Sequence, residues 1–365
     1  MPPRMKTILI TGGTGFLGRH LVAQLRQAEP TARLRILCRG ALPWDRAAPA
    51  ADLELVRGNI TAKEDVFRAA AGVSEIYHLA GVVSRNPHKK WLLYQTHVEG
   101  TRNICEAALK HGAGKVVVVS SSGTIAVSRD PAVHNENSGY KHERVGGWPY
   151  YLSKIFAEKL ASGYFREHRL PVVVVNPSLL LGPGDDRRSS TRDVALFLER
   201  QIMAVPLGGL NFVDARDAAA GLILAMRLGK AGERYLLGGV NWSFAEFIHH
   251  LSEVSGVRAP RVRPSLQLSL VSAQLLRRTL PLVGKSFQLD DVSIKMSALF
   301  WYCDSTKART ELGFKTRDPI ETLRDTVEDL RARSDEHGSA ALDSEVYGSK
   351  GHRSENSQAR ATFAS

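Results

Sequence analysis

The sequence predicts an α/β fold: a Rossmann-like, doubly wound parallel sheet with a smaller C-terminal lobe. Three observations carry that expectation. The first half alternates short apolar runs with amphipathic stretches, the pattern of repeated βαβ units. A glycine-rich turn, Thr11-Gly12-Gly13-Thr14-Gly15-Phe16-Leu17-Gly18, follows the first apolar run and opens the first amphipathic stretch. With 365 residues and a 43% apolar composition, the chain can bury one large core and a smaller one.

Strands are expected at Thr7 to Thr11, Leu34 to Cys38, Leu53 to Arg57, Glu75 to Leu79, Lys115 to Ser120 and Pro171 to Asn176. Helices are expected between them at Gly15 to Gln27, Lys63 to Ala70, Thr96 to His111 and Tyr150 to His168. Six parallel strands with helical crossovers make the sheet. After Asn176-Pro177, Gly182-Pro183-Gly184 and Arg187-Arg188 read as a loop leaving it. Asp217 to Arg227 and Phe244 to Ser255 read as helices, and Leu236 to Gly239 as a short strand or turn. Leu266 to Val283 is apolar but interrupted, which fits a buried or capping helix, with an interfacial membrane helix as the alternative. A last helix spans Pro319 to Arg333, with proline at its first position. The expected division is therefore a dinucleotide-binding domain over 1–176 with a return segment around 211–235, a substrate-binding lobe over 177–210 and 236–333, and a disordered tail over 334–365.

The 49 Lys and Arg against 37 Asp and Glu leave a formal charge of +12, which favours anionic ligands or surfaces. The basic residues are scattered and no nucleic-acid module is present, so nucleic acid is not an expected partner. Cys38, Cys105 and Cys303 lie far apart, which suggests neither a disulfide framework nor a zinc site and suits a reducing cytosol. No run reaches the length of about 18 apolar residues that a membrane span needs.

The glycine turn has the context of a dinucleotide fingerprint. Gly12 permits the tight turn, Gly15 lets the backbone approach a pyrophosphate, and Gly18 allows helix and strand to pack closely, while amides at the helix start face phosphates. The second strand ends Ile36-Leu37-Cys38-Arg39, without the acid that grips a ribose 2′-hydroxyl. Arg39 suits a 2′-phosphate instead, so NADP(H) is favoured over NAD(H).

Tyr150-Tyr151-Leu152-Ser153-Lys154 follows Pro149 and starts a helix, which sets Tyr150 and Lys154 one turn apart on one face. An ammonium about 4 Å from the phenol at an effective dielectric of about 20 contributes about 4 kcal/mol, enough to pull the phenol pKa down by about three. The phenol then becomes a usable acid and base near neutrality. The strand from Lys115 ends in Ser120-Ser121-Ser122-Gly123-Thr124 at the carboxyl edge of the sheet. Ser122 is the candidate to steady a substrate oxygen, with Ser121 and Thr124 as rivals.

With these residues assembled, the chain resembles the extended short-chain dehydrogenase/reductases over roughly Lys6 to Arg331. Further matches are Gly58-Asn59-Ile60, His78-Leu79-Ala80-Gly81, Val98-Glu99-Gly100-Thr101, Asn176-Pro177, Phe212-Val213-Asp214-Ala215-Arg216-Asp217 and Asp304-Ser305-Thr306-Lys307. It looks most like the dihydroflavonol 4-reductase-like and 3β-hydroxysteroid dehydrogenase-like branch, which includes bacterial proteins labelled as hopanoid-associated epimerases. The resemblance implies that Tyr150 transfers a proton, that Lys154 holds the nicotinamide ribose, and that Ser122 steadies the reacting oxygen. It places the cofactor along Gly12, Thr14, Gly15, Phe16, Leu17, Gly18 and Arg39, with Asn59 and Ile60 at the adenine. Leu79, Ala80, Gly81 and Val82 border its middle, and Pro177 to Leu179 approach the nicotinamide. Asn59 stands where the family usually has Asp, and His97 where it usually has Asn. A homodimer is in keeping with the family.

The leading expectation is reversible hydride transfer between NADP(H) and a secondary alcohol or ketone on a fairly apolar small molecule. Phe197, Leu266, Leu268 and Leu270 are offered as lobe residues that suit such a substrate, although the same residues suit a core. A nucleotide-sugar epimerase with the same Ser, Tyr and Lys set is the alternative, and a non-catalytic NADP-binding regulatory protein is a third. A sugar dehydratase is disfavoured, because Gly123-Thr124-Ile125 stands where the usual Asp-Glu pair would be.

Overall fold

The computed structural model describes residues 5–40, 52–279 and 291–348. Its main sheet is parallel and contains β1 (Thr7–Thr11), β2 (Arg33–Cys38), β3 (Leu53–Arg57), β4 (Glu75–His78), β5 (Lys115–Val119) and β6 (Val172–Pro177). After β7 (Leu179–Leu181) and β8 (Gly209–Asp214) form elsewhere, β9 (Arg234–Leu237) returns to the main sheet, and the order is β3-β2-β1-β4-β5-β6-β9. There are thus seven strands instead of six: the segment read as a short strand or turn begins two residues earlier and pairs parallel with β6, Val174 beside Arg234. β5 and β6 are valine runs covered on both faces, as parallel central strands must be.

The covering helices are α1 (Phe16–Ala28), α2 (Lys63–Ala70), α3 (Lys90–Tyr94), α4 (Gly100–His111), α5 (His142–Val145), α6 (Pro149–His168), α7 (Arg192–Leu198) and α8 (Ala215–Leu228). One face of the sheet buries Leu21, Val22 and Leu25 of α1 with Ala218 and Leu222 of α8. The other buries Val66 and Ala69 of α2, Ile104 and Ala108 of α4, and Ala161 of α6. The helix expected from Thr96 begins at Lys90 and passes into α4 through a π-helical turn, Gln95–Glu99. Such turns insert an extra residue and are common where a helix must aim side chains at a site.

A second, four-stranded sheet centres on β8, with β7 parallel, β10 (Val240–Ser243) antiparallel and β11 (Phe300–Trp301) parallel to it. It shares a core of Phe212, Phe247, Leu251, Leu323 and Val327 with α9 (Phe244–Ser255) and α13 (Pro319–Gly348). Ser243 and Glu246 form a capping box at the start of α9. Between α9 and α13 lie α10 (Leu266–Thr279), α11 (Asp291–Met296) and α12 (Thr306–Leu312). α10 corrects the expectation of a buried helix, since Ala273 is its one buried residue; the end of that expected segment, 280–283, lies outside the described residues. The disordered tail expected from Ser334 is also corrected as far as Gly348, because α13 continues to that point. No proline interrupts this stretch and Ala340, Ala341 and Leu342 favour helix, while 349–365 lie outside the described residues. Among the described residues no helix is long and apolar enough to cross a membrane.

Candidate active site

The strand order reverses beside β1, which has β2 on one side and β4 on the other, and this opens a crevice at the carboxyl ends of β1 and β4. On one wall is the glycine loop. Gly12 has φ +75, and a Cβ there would lie 2.7 Å from the Ala80 nitrogen and the Leu79 carbonyl carbon, so the loop presses directly on the turn after β4. A Cβ on Gly18 would lie 2.2 Å from the Gly12 carbonyl oxygen. Gly15 caps α1 in an extended conformation with no side-chain cap, which leaves the first-turn amides and the positive end of the helix dipole facing the crevice. Thr14 and Phe16 are half-buried there, whereas the Leu17 side chain belongs to the core and offers the crevice only its backbone.

Arg39 is exposed at the end of β2, and Gly58 donates its N–H to the Cys38 carbonyl (3.0 Å), which brings Asn59 to the same edge. Asn59 Oδ1 accepts from Thr61 N–H (3.2 Å) in a local turn. Ile60 is buried, and its carbonyl accepts from Asn103 Nδ2 (3.0 Å). At the far end, Pro177 closes β6 and Leu179 opens β7, with the buried Ser178 between them.

The Tyr150 helix begins with Pro149 at its first turn and puts Tyr150, Lys154 and Glu158 on one face at four-residue spacing. Lys154 Nζ donates to the carbonyl of Val119, the last residue of β5 (2.9 Å). A Cβ on Gly81 would lie 3.2 Å from His97 Nε2 and 3.5 Å from Lys154 Nζ, so the turn after β4, the imidazole and the ammonium converge. Burial lowers the Lys154 pKa to about 8, partly offset by Glu158.

The expected fall in the Tyr150 pKa does not occur. Removal of the phenol from water pushes it up to about 12, and the group that opposes this is the Ser121 hydroxyl bonded to it. Desolvation dominates at this buried phenol, while the Lys154 ammonium donates to Val119. Ser121 Oγ accepts from the Gly123 N–H (3.4 Å), while Ser122 is buried at the head of a 3₁₀ turn and its side chain makes no hydrogen bond among the described residues. Thr124 is drawn away into a buried network, donating to Glu158 Oε1 (2.8 Å).

Glu158 and His97 organise the floor. Glu158 is fully buried and accepts from Ser120, Thr124 and Asn176, with Arg234 of β9 at 3.3 Å. His97 Nε2 accepts from Val82 N–H (3.1 Å), so its proton sits on Nδ1 and is donated to Ser153 Oγ (2.8 Å); Ser153 in turn donates to the Tyr150 carbonyl (2.8 Å). Burial, with Lys154 nearby, holds the His97 pKa well below the usual histidine value, and the ring meets Tyr150 edge-on at 5.7 Å. His78 joins the glycine strand to this group: Thr11 Oγ1 lies 2.8 Å from its Nδ1 and Thr101 Oγ1 3.1 Å from its Nε2. The Thr101 hydroxyl donates to the His97 carbonyl (2.6 Å).

An aromatic wall stands next to Tyr150. Tyr151 stacks on Trp301 at 5.1 Å, and Trp148 lies 5.9 Å from Trp301. A Cβ on Gly123 would lie 2.3 Å from the Tyr151 ring and 2.9 Å from Trp301, so this wall fills the place a side chain at 123 would take. Phe197, by contrast, is buried in the second core, and Leu268 is exposed. Glu158 was legible in principle as a charge one turn beyond Lys154; Trp301 carries no local signal, since β11 reaches the site only by pairing with β8.

The family model described as the NAD dependent epimerase/dehydratase family matches residues 8–238. A relative named "Putative dihydroflavonol 4-reductase" from Synechocystis is 34% identical over 87% of this chain and 92% of its own. Human 3 beta-hydroxysteroid dehydrogenase type 7 is 31% identical over 48% of this chain and 50% of its own. The solved structure of gox2253 is 29% identical with a TM-score of 0.75, covering 90% of this chain and 99% of that one.

Proposed function

Because this chain belongs to the NAD dependent epimerase/dehydratase family and is an enzyme of the extended short-chain dehydrogenase/reductase type, we propose that it interconverts a secondary alcohol and a ketone on a small, fairly apolar molecule, using NADP(H) in preference to NAD(H). The tight turn that Gly12 and Gly18 permit, set before an uncapped helix start, fits a dinucleotide pyrophosphate that the amides of Thr14, Phe16 and Leu17 would hold. Asn59 and Ile60 would border the adenine, Leu79, Ala80 and Gly81 the middle, and Pro177 and Leu179 the nicotinamide. Arg39 would meet a 2′-phosphate through a charge-assisted fork. When bound, the nucleotide supplies or accepts a hydride.

The chain's own groups handle the proton. With a pKa of about 12, the Tyr150 phenol is protonated at neutrality and suited to donate to the oxygen of a carbonyl being reduced. The uncommitted Ser122 hydroxyl would donate to the same substrate oxygen. Lys154, held by Val119 beside Gly81, would bind the ribose hydroxyls. The wall of Tyr151, Trp148 and Trp301 supports an apolar substrate, and the filled space at Gly123 opposes the acid pair that dehydration needs.

The observation that carries this reading is the convergence of Tyr150, Ser121, Ser122 and Lys154 on the crevice after β4. It is tested by measuring NADPH and NADH affinity and then screening ketones, steroids, flavonoids and nucleotide sugars. Tyr150→Phe is expected to lower turnover by a factor of about 10² to 10⁴ while cofactor affinity is nearly kept. Arg39→Ala is expected to weaken NADPH and leave NADH unchanged. Unchanged turnover in Tyr150→Phe, or sugar interconversion with no net cofactor change, overturns the reading.

A further inference from the structure

α10 carries an exposed apolar stripe. Leu268, Val271 and Leu275 are 55, 63 and 61% exposed, while the small Ala273 is its one buried side chain. Spacings of three and four residues align the three apolar side chains in one stripe, which the exposed Arg278 continues one turn later. Leu266, Leu270 and Leu276 are half-buried, but the exposed stripe has no account in the packing of the described residues. The flank that leads into it is cationic: Arg258, Arg261 and Arg263 are exposed, with the exposed Val262 among them. Residues 254–279 contain five arginines and not one Asp or Glu.

We infer that the face formed by α10 and the 258–263 segment docks on an anionic lipid surface, with Leu268, Val271 and Leu275 dipping into the headgroup boundary and Arg258, Arg261, Arg263 and Arg278 pairing with lipid phosphates. The two features together select this occupant. An apolar stripe alone would suit any partner, but the exposed Arg258, Arg261, Arg263 and Arg278 beside it match a bilayer that carries negative charge. A second copy of the chain would set arginine against arginine, which opposes self-association through this face. The attachment is peripheral, since no described helix is long and apolar enough to span a membrane. The face is also tied to the crevice: Arg277 pairs with Asp291 of α11 (2.8 Å), and Ser293 of α11 accepts from Arg85 (3.0 Å), three residues beyond Val82. The inference is independent of the reaction, so a chain that binds vesicles but reduces no ketone leaves it intact.

The test is co-sedimentation of the full chain with vesicles of pure phosphatidylcholine and with vesicles of equal parts phosphatidylcholine and phosphatidylglycerol. The expected result is binding to the anionic vesicles that weakens as salt rises, with little binding to the neutral ones. Leu268→Ser/Val271→Ser/Leu275→Ser and Arg261→Glu/Arg263→Glu are each expected to reduce that binding by about tenfold or more. These are surface positions, and an unchanged circular dichroism melt shows that each variant is folded. Equal sedimentation of the parent and both variants overturns the inference, as does absence of binding to either vesicle. A dimer in light scattering that the triple-serine variant dissolves, without vesicle binding by the parent, assigns the face to self-association and overturns it too.

Discussion

Glu158 is the strongest point at which stability and site geometry can be tested together. Its carboxylate is excluded from water; Oε1 takes hydrogen bonds from Ser120, Thr124 (2.8 Å) and Asn176 (2.8 Å), and Oε2 faces Arg234 at 3.3 Å without a hydrogen bond of its own. Glu158→Ala removes the acceptor for three donors and leaves the Arg234 charge in a site where its side chain is 19% exposed. Removing one partner of a buried ion pair costs about 3 to 5 kcal/mol. Arg234 keeps its bond to the Tyr140 hydroxyl (2.6 Å) and its place over that ring, so the lower part of that range applies. Glu158→Gln keeps an acceptor oxygen for the three donors but loses the charge opposite Arg234, and is expected to cost about half as much. Urea unfolding followed by tryptophan fluorescence reads both values, and a cycle with Arg234→Met isolates the pair. If Glu158→Ala unfolds within about 0.5 kcal/mol of the parent, the carboxylate is not the clamp between β5, α6, β6 and β9 described above.

Lys154 should give stability a pH dependence of defined sign. Its folded pKa, about 8, lies below the ordinary 10.5, so between these values the unfolded chain binds more protons and stability rises with pH. At about 1.4 kcal/mol per decade the penalty of the buried ammonium is about 3 kcal/mol, fully present below pH 8 and relieved towards pH 10.5. Unfolding free energies of the parent should therefore gain on those of Lys154→Met across that window, and a constant difference from pH 7 to 10 would refute the assignment. His97→Ala leaves the Val82 N–H without its acceptor and frees Ser153 from the chain that ends at the Tyr150 carbonyl, so kcat is expected to fall about tenfold or more with little change in KM. His97→Asn can accept from Val82 again and is expected to restore most of it, whereas equal losses in both variants would reduce His97 to a packing residue. Because His97 is neutral through the physiological range, neither variant should remove an inflection near pH 6.5 from the rate profile.

The sequence by itself determined the βαβ alternation, the glycine loop and the Tyr150 to Lys154 face, because each is written in neighbouring residues: apolar periodicity, the conformations only glycine accepts, and the four-residue helical repeat. β1, β3 and α2 begin and end where periodicity puts them. What the tertiary structure decided is which hydroxyl stays uncommitted, where the Lys154 ammonium points, that β9 joins the sheet beside β6, and that Tyr151 and Trp301 fill the space over Gly123. None of these has a local signature. Adjacent serines differ only in how the turn after β5 rotates, and the balance between desolvation and charge at a phenol depends on every group packed around it, whatever its distance along the chain.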